Sequence, residues 1–117
     1  YPYPEVHPKM TPWGEPTEEL SFMGMWKNKW LRETTYGGKL VENITQAVSR
    51  DIMVTGMQNA ERDGFPIVMT VHDEVISDTP FGDDLEEFIR ALIRLPRWAQ
   101  GLPINAEGFR SERYVKR

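Results

Sequence analysis

The 117-residue sequence contains no cysteine, which excludes disulfide staples and thiolate metal sites. Any metal ion would be held by carboxylate, carbonyl or imidazole groups, a donor set that favours hard ions such as magnesium or manganese. No uninterrupted apolar run approaches the roughly 18 residues that suggest a membrane span, and no short apolar stretch follows a basic N-terminal region. The expectation is a soluble, cytoplasmic protein with no membrane partner. Positive charge is not in excess either: 14 Lys and Arg stand against 18 Asp and Glu, for a net charge of −4. That balance argues against a dedicated nucleic-acid-binding module, which usually carries a basic surface. Histidine is scarce, and His7 and His72 are the only two. A small hydrolase built around a metal held by His72, Asp73 and Glu74 therefore lacks the further ligands it needs. With 39% apolar residues, a chain of this length supports one small core.

What is present is unevenly distributed. Five prolines (Pro2, Pro4, Pro8, Pro12 and Pro16) fall in the first sixteen residues. They remove backbone donors and fix φ, so residues 1–17 are expected to form an extended arm with neither a helix nor a central strand. Tyr1, Tyr3 and Trp13 give this arm more aromatic surface than a free linker carries, which suggests that it lies against something. The first residue is not methionine, and the chain reads as processed or excised from a longer one. Lys27, Lys29, Arg32 and Lys39 cluster in the first half, and Arg110, Arg113, Lys116 and Arg117 at the end. The acidic block Asp83, Asp84, Glu86 and Glu87 lies between them. Such clusters are ordinarily solvated faces, and they permit contact with DNA without requiring it.

Aromatic and apolar residues from Leu20 to Tyr36, broken at Lys27-Asn28-Lys29, predict a β-hairpin with strands near 19–26 and 30–36. After Gly37-Gly38, the residues Leu40, Val41, Ile44, Val48, Ile52 and Met53 recur at three- and four-residue steps. They predict a core-facing helix over roughly 38–62, stopped by Gly64 and Pro66. Ile67-Val68-Met69-Thr70-Val71 and Val75-Ile76 are β-branched runs around His72-Asp73-Glu74, the pattern of a buried hairpin with polar residues at its tip. A second helix is expected over about 82–95, with acidic residues in its first turn and Leu85, Phe88, Ile89, Leu92 and Ile93 on its core face. Pro96 ends it, and Leu102-Pro103-Ile104-Asn105-Ala106 reads as a last strand. The predicted class is α+β, an antiparallel sheet with helices packed on one face.

The run Tyr36-Gly37-Gly38-Lys39-Leu40-Val41-Glu42-Asn43-Ile44-Thr45-Gln46-Ala47-Val48-Ser49-Arg50-Asp51, followed by Val71-His72-Asp73-Glu74-Val75 and then Pro103-Ile104-Asn105-Ala106-Glu107-Gly108, resembles the C-terminal palm of family A DNA polymerases, phage-type members above all. The resemblance covers roughly residues 18–115, and residues 18–117 are taken as a palm subdomain fragment. It implies nucleotidyl transfer by a DNA-directed DNA polymerase in replication or repair, with template–primer DNA and a deoxynucleoside triphosphate as partners. Two magnesium ions would activate the primer 3′-hydroxyl and stabilise the leaving pyrophosphate.

By the same resemblance Asp73 corresponds to an aspartate that binds the catalytic magnesium, and Glu74 to its acidic neighbour in the metal site. His72 corresponds to a histidine near the primer terminus. Gln46 matches the glutamine that touches the template–primer minor groove, with Asn43 one helical step away on a similar face; Lys39 and Arg50 are candidate phosphate contacts. Plainer roles stay open at each position. Glu74 can be a turn carboxylate, His72 a hydrogen-bonded packing residue, Gln46 a half-buried polar helix residue, and Lys39 and Arg50 solvated cations. Within these 117 residues there is no Asp-Tyr-Ser-like strand to carry the family's second aspartate and no basic fingers helix. The expectation is that this chain alone extends no primer, and that it works with the remainder of a polymerase in cis or in trans. The alternative is a non-catalytic DNA-binding or assembly module derived from a palm.

Overall fold

The structure is a computed structural model that describes residues 1–80 and 82–116. Its class is α+β, with antiparallel sheets and helices. Arg117, counted above in the C-terminal cation cluster, lies outside the described residues. The chain divides into two compact units, Tyr1–Gln46 and Ala47–Arg117. No helix among the described residues is long and apolar enough to cross a membrane.

In the first unit, β1 (Glu5–Met10), β2 (Pro16–Trp26) and β3 (Lys29–Thr35) form an antiparallel sheet in the order β1-β2-β3. Proline placement obeys the hydrogen-bond ladder. Pro8 sits in the edge strand β1 and Pro16 is the first residue of β2, the two places where a missing N–H costs least. The proline-rich segment holds a paired edge strand in its middle, and from Pro16 it enters the central strand β2, which the prolines were expected to exclude. Pro2 continues the attachment, its carbonyl accepting from the Met23 N–H at 2.8 Å. Arg32 ties the same strands together by donating to Glu5 Oε1 (2.8 Å), the Tyr3 carbonyl and Ser21 Oγ (both 3.2 Å). The β2–β3 reversal is the two-residue loop Lys27-Asn28, with φ of 47° and 61°. Two left-handed residues in succession make a type I′ turn, whose twist matches the strands it joins.

The helix α1 (Gly37–Arg62) matches the predicted span to within a residue. It ends in a Schellman motif. Gly64 takes φ = 91°, the Phe65 N–H donates to the Ala60 carbonyl (2.9 Å) and the Gly64 N–H to the Glu61 carbonyl (3.1 Å). The turn drops Phe65 onto Ala60, and these two, with Ala91, are the buried centre of the second unit; Ile67, Phe88 and Leu92 pack around them. Phe65 and Phe88 meet with ring centroids 5.3 Å apart.

The helix α2 (Leu85–Ile93) begins at Asp84, whose carboxylate accepts from the Glu86 N–H at 2.9 Å. It approaches α1 closely at Gly56, where an added Cβ would lie 2.4 Å from the Leu92 carbonyl oxygen. One turn along, the buried Asn59 donates from Nδ2 to the carbonyls of Arg94 (3.0 Å) and Ala91 (3.4 Å), capping the C-terminal end of α2.

Three expectations need correction. Val41 and Ile44 are 63% and 61% exposed rather than core-facing, and the buried positions on α1 are Ile52, Gly56, Asn59 and Ala60. The packed face is confined to the part of the helix that α2 covers. The hairpin β4 (Ile67–Val71) and β5 (Glu74–Ser77) is only half-buried, because no second layer covers the face that carries Val68, which is 60% exposed. Residues 102–106 form no strand. The Leu102 N–H donates to the Ala99 carbonyl and the Ile104 N–H to the Leu102 carbonyl around Pro103, so local turns take the groups a ladder would use. This segment instead brings Gly108 against α2, where a Cβ would stand 3.0 Å from Leu85 Cδ1.

The Gly56 contact yields a test. Alanine would gain about 1 kcal/mol of helix propensity but would force backbone apart, at a cost of about 1–3 kcal/mol. Gly56→Ala is expected to lower the denaturant midpoint, whereas Gly37→Ala, where nothing lies within 4 Å, should not. Equal midpoints for the two variants would contradict the close approach.

Candidate functional site

The hairpin tip is built by register. Val71 pairs with Glu74, so His72 and Asp73 alone form the loop, and Glu74 is the first residue of β5 rather than part of the turn. All three side chains are exposed. His72 has φ = 55°, while Asp73 keeps a negative φ. A left-handed residue at the first loop position alone is the pattern of a type II′ turn, which glycine fills without strain. A histidine there costs on the order of 1–3 kcal/mol of conformational energy.

Glu74 has a partner that no local pattern announces. The Tyr114 hydroxyl, forty residues further along, donates to Glu74 Oε2 at 3.4 Å. Desolvation, the Glu74 charge and the hydrogen bond to it together raise the Tyr114 pKa above its ordinary 10.0. Among the described residues, no group of three or more His, Asp and Glu side chains converges to hold a metal ion. His72, Asp73 and Glu74 therefore come together in sequence at one tip without forming a closed ligand set.

The remaining candidates lie on α1, all exposed. Lys39, Asn43 and Gln46 belong to the first unit and follow one another at steps of four and three, the spacing of one helix face. Lys39 Nζ lies 3.8 Å from Glu42 Oε2, an exposed pair of the kind that contributes little and leaves the cation available. The Asn43 amide donates to the Tyr1 hydroxyl, and the Tyr1 ring meets Phe22 edge-on at 4.8 Å. Arg50 follows Gln46 by four residues and belongs to the second unit. Of the cations noted in the sequence, Arg32 is engaged within its own sheet, while Arg110, Arg113 and Lys116 are exposed.

Comparison with known proteins adds to this geometry. The sequence is 42% identical, over 101 residues, to a DNA polymerase of Bacillus phage SP02. The chain is similar to part of a phage polymerase. The match takes in 85% of this chain and 16% of that protein, so the chain spans about a sixth of its relative's length. No family model matches the sequence, and no solved structure matches it.

Two outcomes follow from the tip. His72→Gly should relieve the left-handed strain and raise the stability of the second unit by about 1 kcal/mol, read as a higher denaturant midpoint; an unchanged or lower midpoint would show that the turn is not strained. For Tyr114, a native pKa above the unfolded value means that the folded state holds the proton more tightly. Its contribution is complete below pH 10.0 and is lost as pH rises through the raised value. Tyrosinate absorbance, with Tyr114→Phe as the subtraction reference, should show Tyr114 titrating above 10.0, and Glu74→Gln should bring it down.

Proposed function

We propose that this chain is a palm-type portion of a family A DNA polymerase and contributes to nucleotidyl transfer on template–primer DNA. The observation that carries this reading is the 42% identity over 85% of the chain to a polymerase of Bacillus phage SP02. The exposed His72-Asp73 tip supports it, because a carboxylate that receives a substrate and an ion must be reachable. In this reading Asp73 is the metal-binding aspartate, His72 stands near the primer terminus, and Glu74 is the acidic neighbour that shapes the tip. Gln46 and Asn43 serve the minor groove, where acceptors shared by all base pairs allow contact without sequence preference. Asn43 is suited to this even while bonded to Tyr1, since an amide has a second donor and a free acceptor. Lys39 and Arg50 serve phosphates.

Magnesium demands several converging oxygen ligands, and the described residues of this chain do not supply such a set. Asp73 offers the tip's metal-binding carboxylate, with Glu74 beside it, and a further carboxylate from the remainder of the polymerase, in cis or in trans, completes the two-ion site. The incoming deoxynucleoside triphosphate is likewise held by groups beyond this chain.

Primer extension by the native polypeptide or complex that carries this sequence tests the reading. Asp73→Ala should lower the rate about a thousandfold, as expected for losing several kcal/mol of charge stabilisation, while template–primer affinity changes little. The 117-residue chain alone should extend nothing. Undiminished extension by Asp73→Ala would refute the assignment. DNA binding without extension by the native assembly would favour the non-catalytic binding module.

A further inference from the structure

The β4–β5 hairpin cannot hold its own tip in place. It has two strands, and an isolated two-stranded hairpin is marginal in water. Its pairing is irregular between Ile67 and Met69, and its loop is strained at His72. Among the described residues, a contact that reaches the tip from elsewhere in the second unit comes from Tyr114, at Glu74 Oε2. The segment carrying Tyr114 is itself seated, for Gly108 packs against Leu85 and Ile89 of α2. The path from helix core to carboxylate tip therefore runs from α2 through Gly108 and along residues 109–114 to Glu74.

We propose that Tyr114 is a positioning residue, one whose hydroxyl holds the Glu74 carboxylate and thereby fixes the start of β5 and the aim of Asp73 beside it. Successive residues entering a strand diverge to opposite faces, so Glu74 held toward Tyr114 leaves Asp73 free to take its own ligand. A tethered Glu74 also cannot swing round to compete for that ligand or to add a second unscreened charge beside it. Tyr114 meets neither substrate nor ion in this account. It acts through Glu74, the residue next to Asp73 in the chain.

This inference rests on the polymerase reading, and its experiment separates the two. In the native assembly, primer extension is measured for wild type, Tyr114→Phe, Glu74→Ala and the double variant. Tyr114→Phe keeps the ring of a half-exposed side chain, so folding is preserved, and a denaturant midpoint checks that. The expected result is a loss in kcat of about tenfold, with KM for template–primer within about twofold. The double variant should be no slower than Glu74→Ala alone, since alanine leaves the Tyr114 hydroxyl no acceptor and each change removes the same contact. Wild-type rates for Tyr114→Phe, a loss confined to KM, or losses that multiply would overturn the proposal. A wild-type assembly that extends no primer would sink the polymerase reading and the positioning role with it. In that event the alkaline titration of Tyr114 in the 117-residue chain, with and without Glu74→Gln, still decides whether the contact exists.

Discussion

The second unit depends on one close approach, the carbonyl of Leu92 lying against the bare Cα of Gly56. A side chain at that position would hold the helices apart by the width of a methyl group. Asn59 could then no longer reach the carbonyls of Ala91 and Arg94 that it caps, and Phe88 would be drawn off Phe65. Everything beyond α1 hangs from this seam. Phe65 is delivered to it by the left-handed turn at Gly64, and β4 leaves directly from there, with the Ile67 N–H donating to the Glu61 carboxylate at 2.6 Å. Asp63 and Arg94, one residue past each helix end, add an ion pair at 3.1 Å.

The candidate site lies at the far end of that arrangement and is built in the opposite manner. The seam is small-residue packing with its polar groups paired. The tip is exposed, strained at His72 and reached by a long hydrogen bond from Tyr114. Reactive carboxylates are expected on such ground, since a group that must receive a substrate cannot be fully satisfied by its own protein. The first unit shows a related contrast. Arg32 is used up in binding the strands together, whereas the exposed helix residues Lys39, Asn43 and Gln46 keep donors in reserve.

Much of the local structure was legible residue by residue. Lys27-Asn28-Lys29 marked the first reversal, the three- and four-residue steps from Leu40 marked α1, and Gly64 with Pro66 marked its end. The polar run His72-Asp73-Glu74 stood out between β-branched runs, although Glu74 belongs to β5. Legibility failed where a pattern had two outlets. Val41 and Ile44 fit the helical stripe, yet periodicity says which face is apolar and not how far along the helix a partner covers it. Leu102 to Ala106 fit a strand, but a strand needs a neighbour, and the turns around Pro103 took the backbone groups first. The prolines of the arm were read as excluding a central strand, yet Pro8 sits in a paired edge strand and Pro16 opens the central strand β2, where a first residue needs no donor.

Sequence by itself determined the α+β class, the existence of both hairpins and both helices, the span of α1 and the placing of His72, Asp73 and Glu74 at one tip, because these follow from short-range rules of propensity, capping and turn chemistry. Only tertiary structure decided that Gly56 is a contact point, that Asn59 caps a second helix and that Tyr114 reaches Glu74. Those pairs stand 36, 35 and 40 residues apart. No local pattern records such a separation, because what brings the partners together is the burial of Phe65, Ala60 and Ala91 between elements that each fold without knowledge of the other.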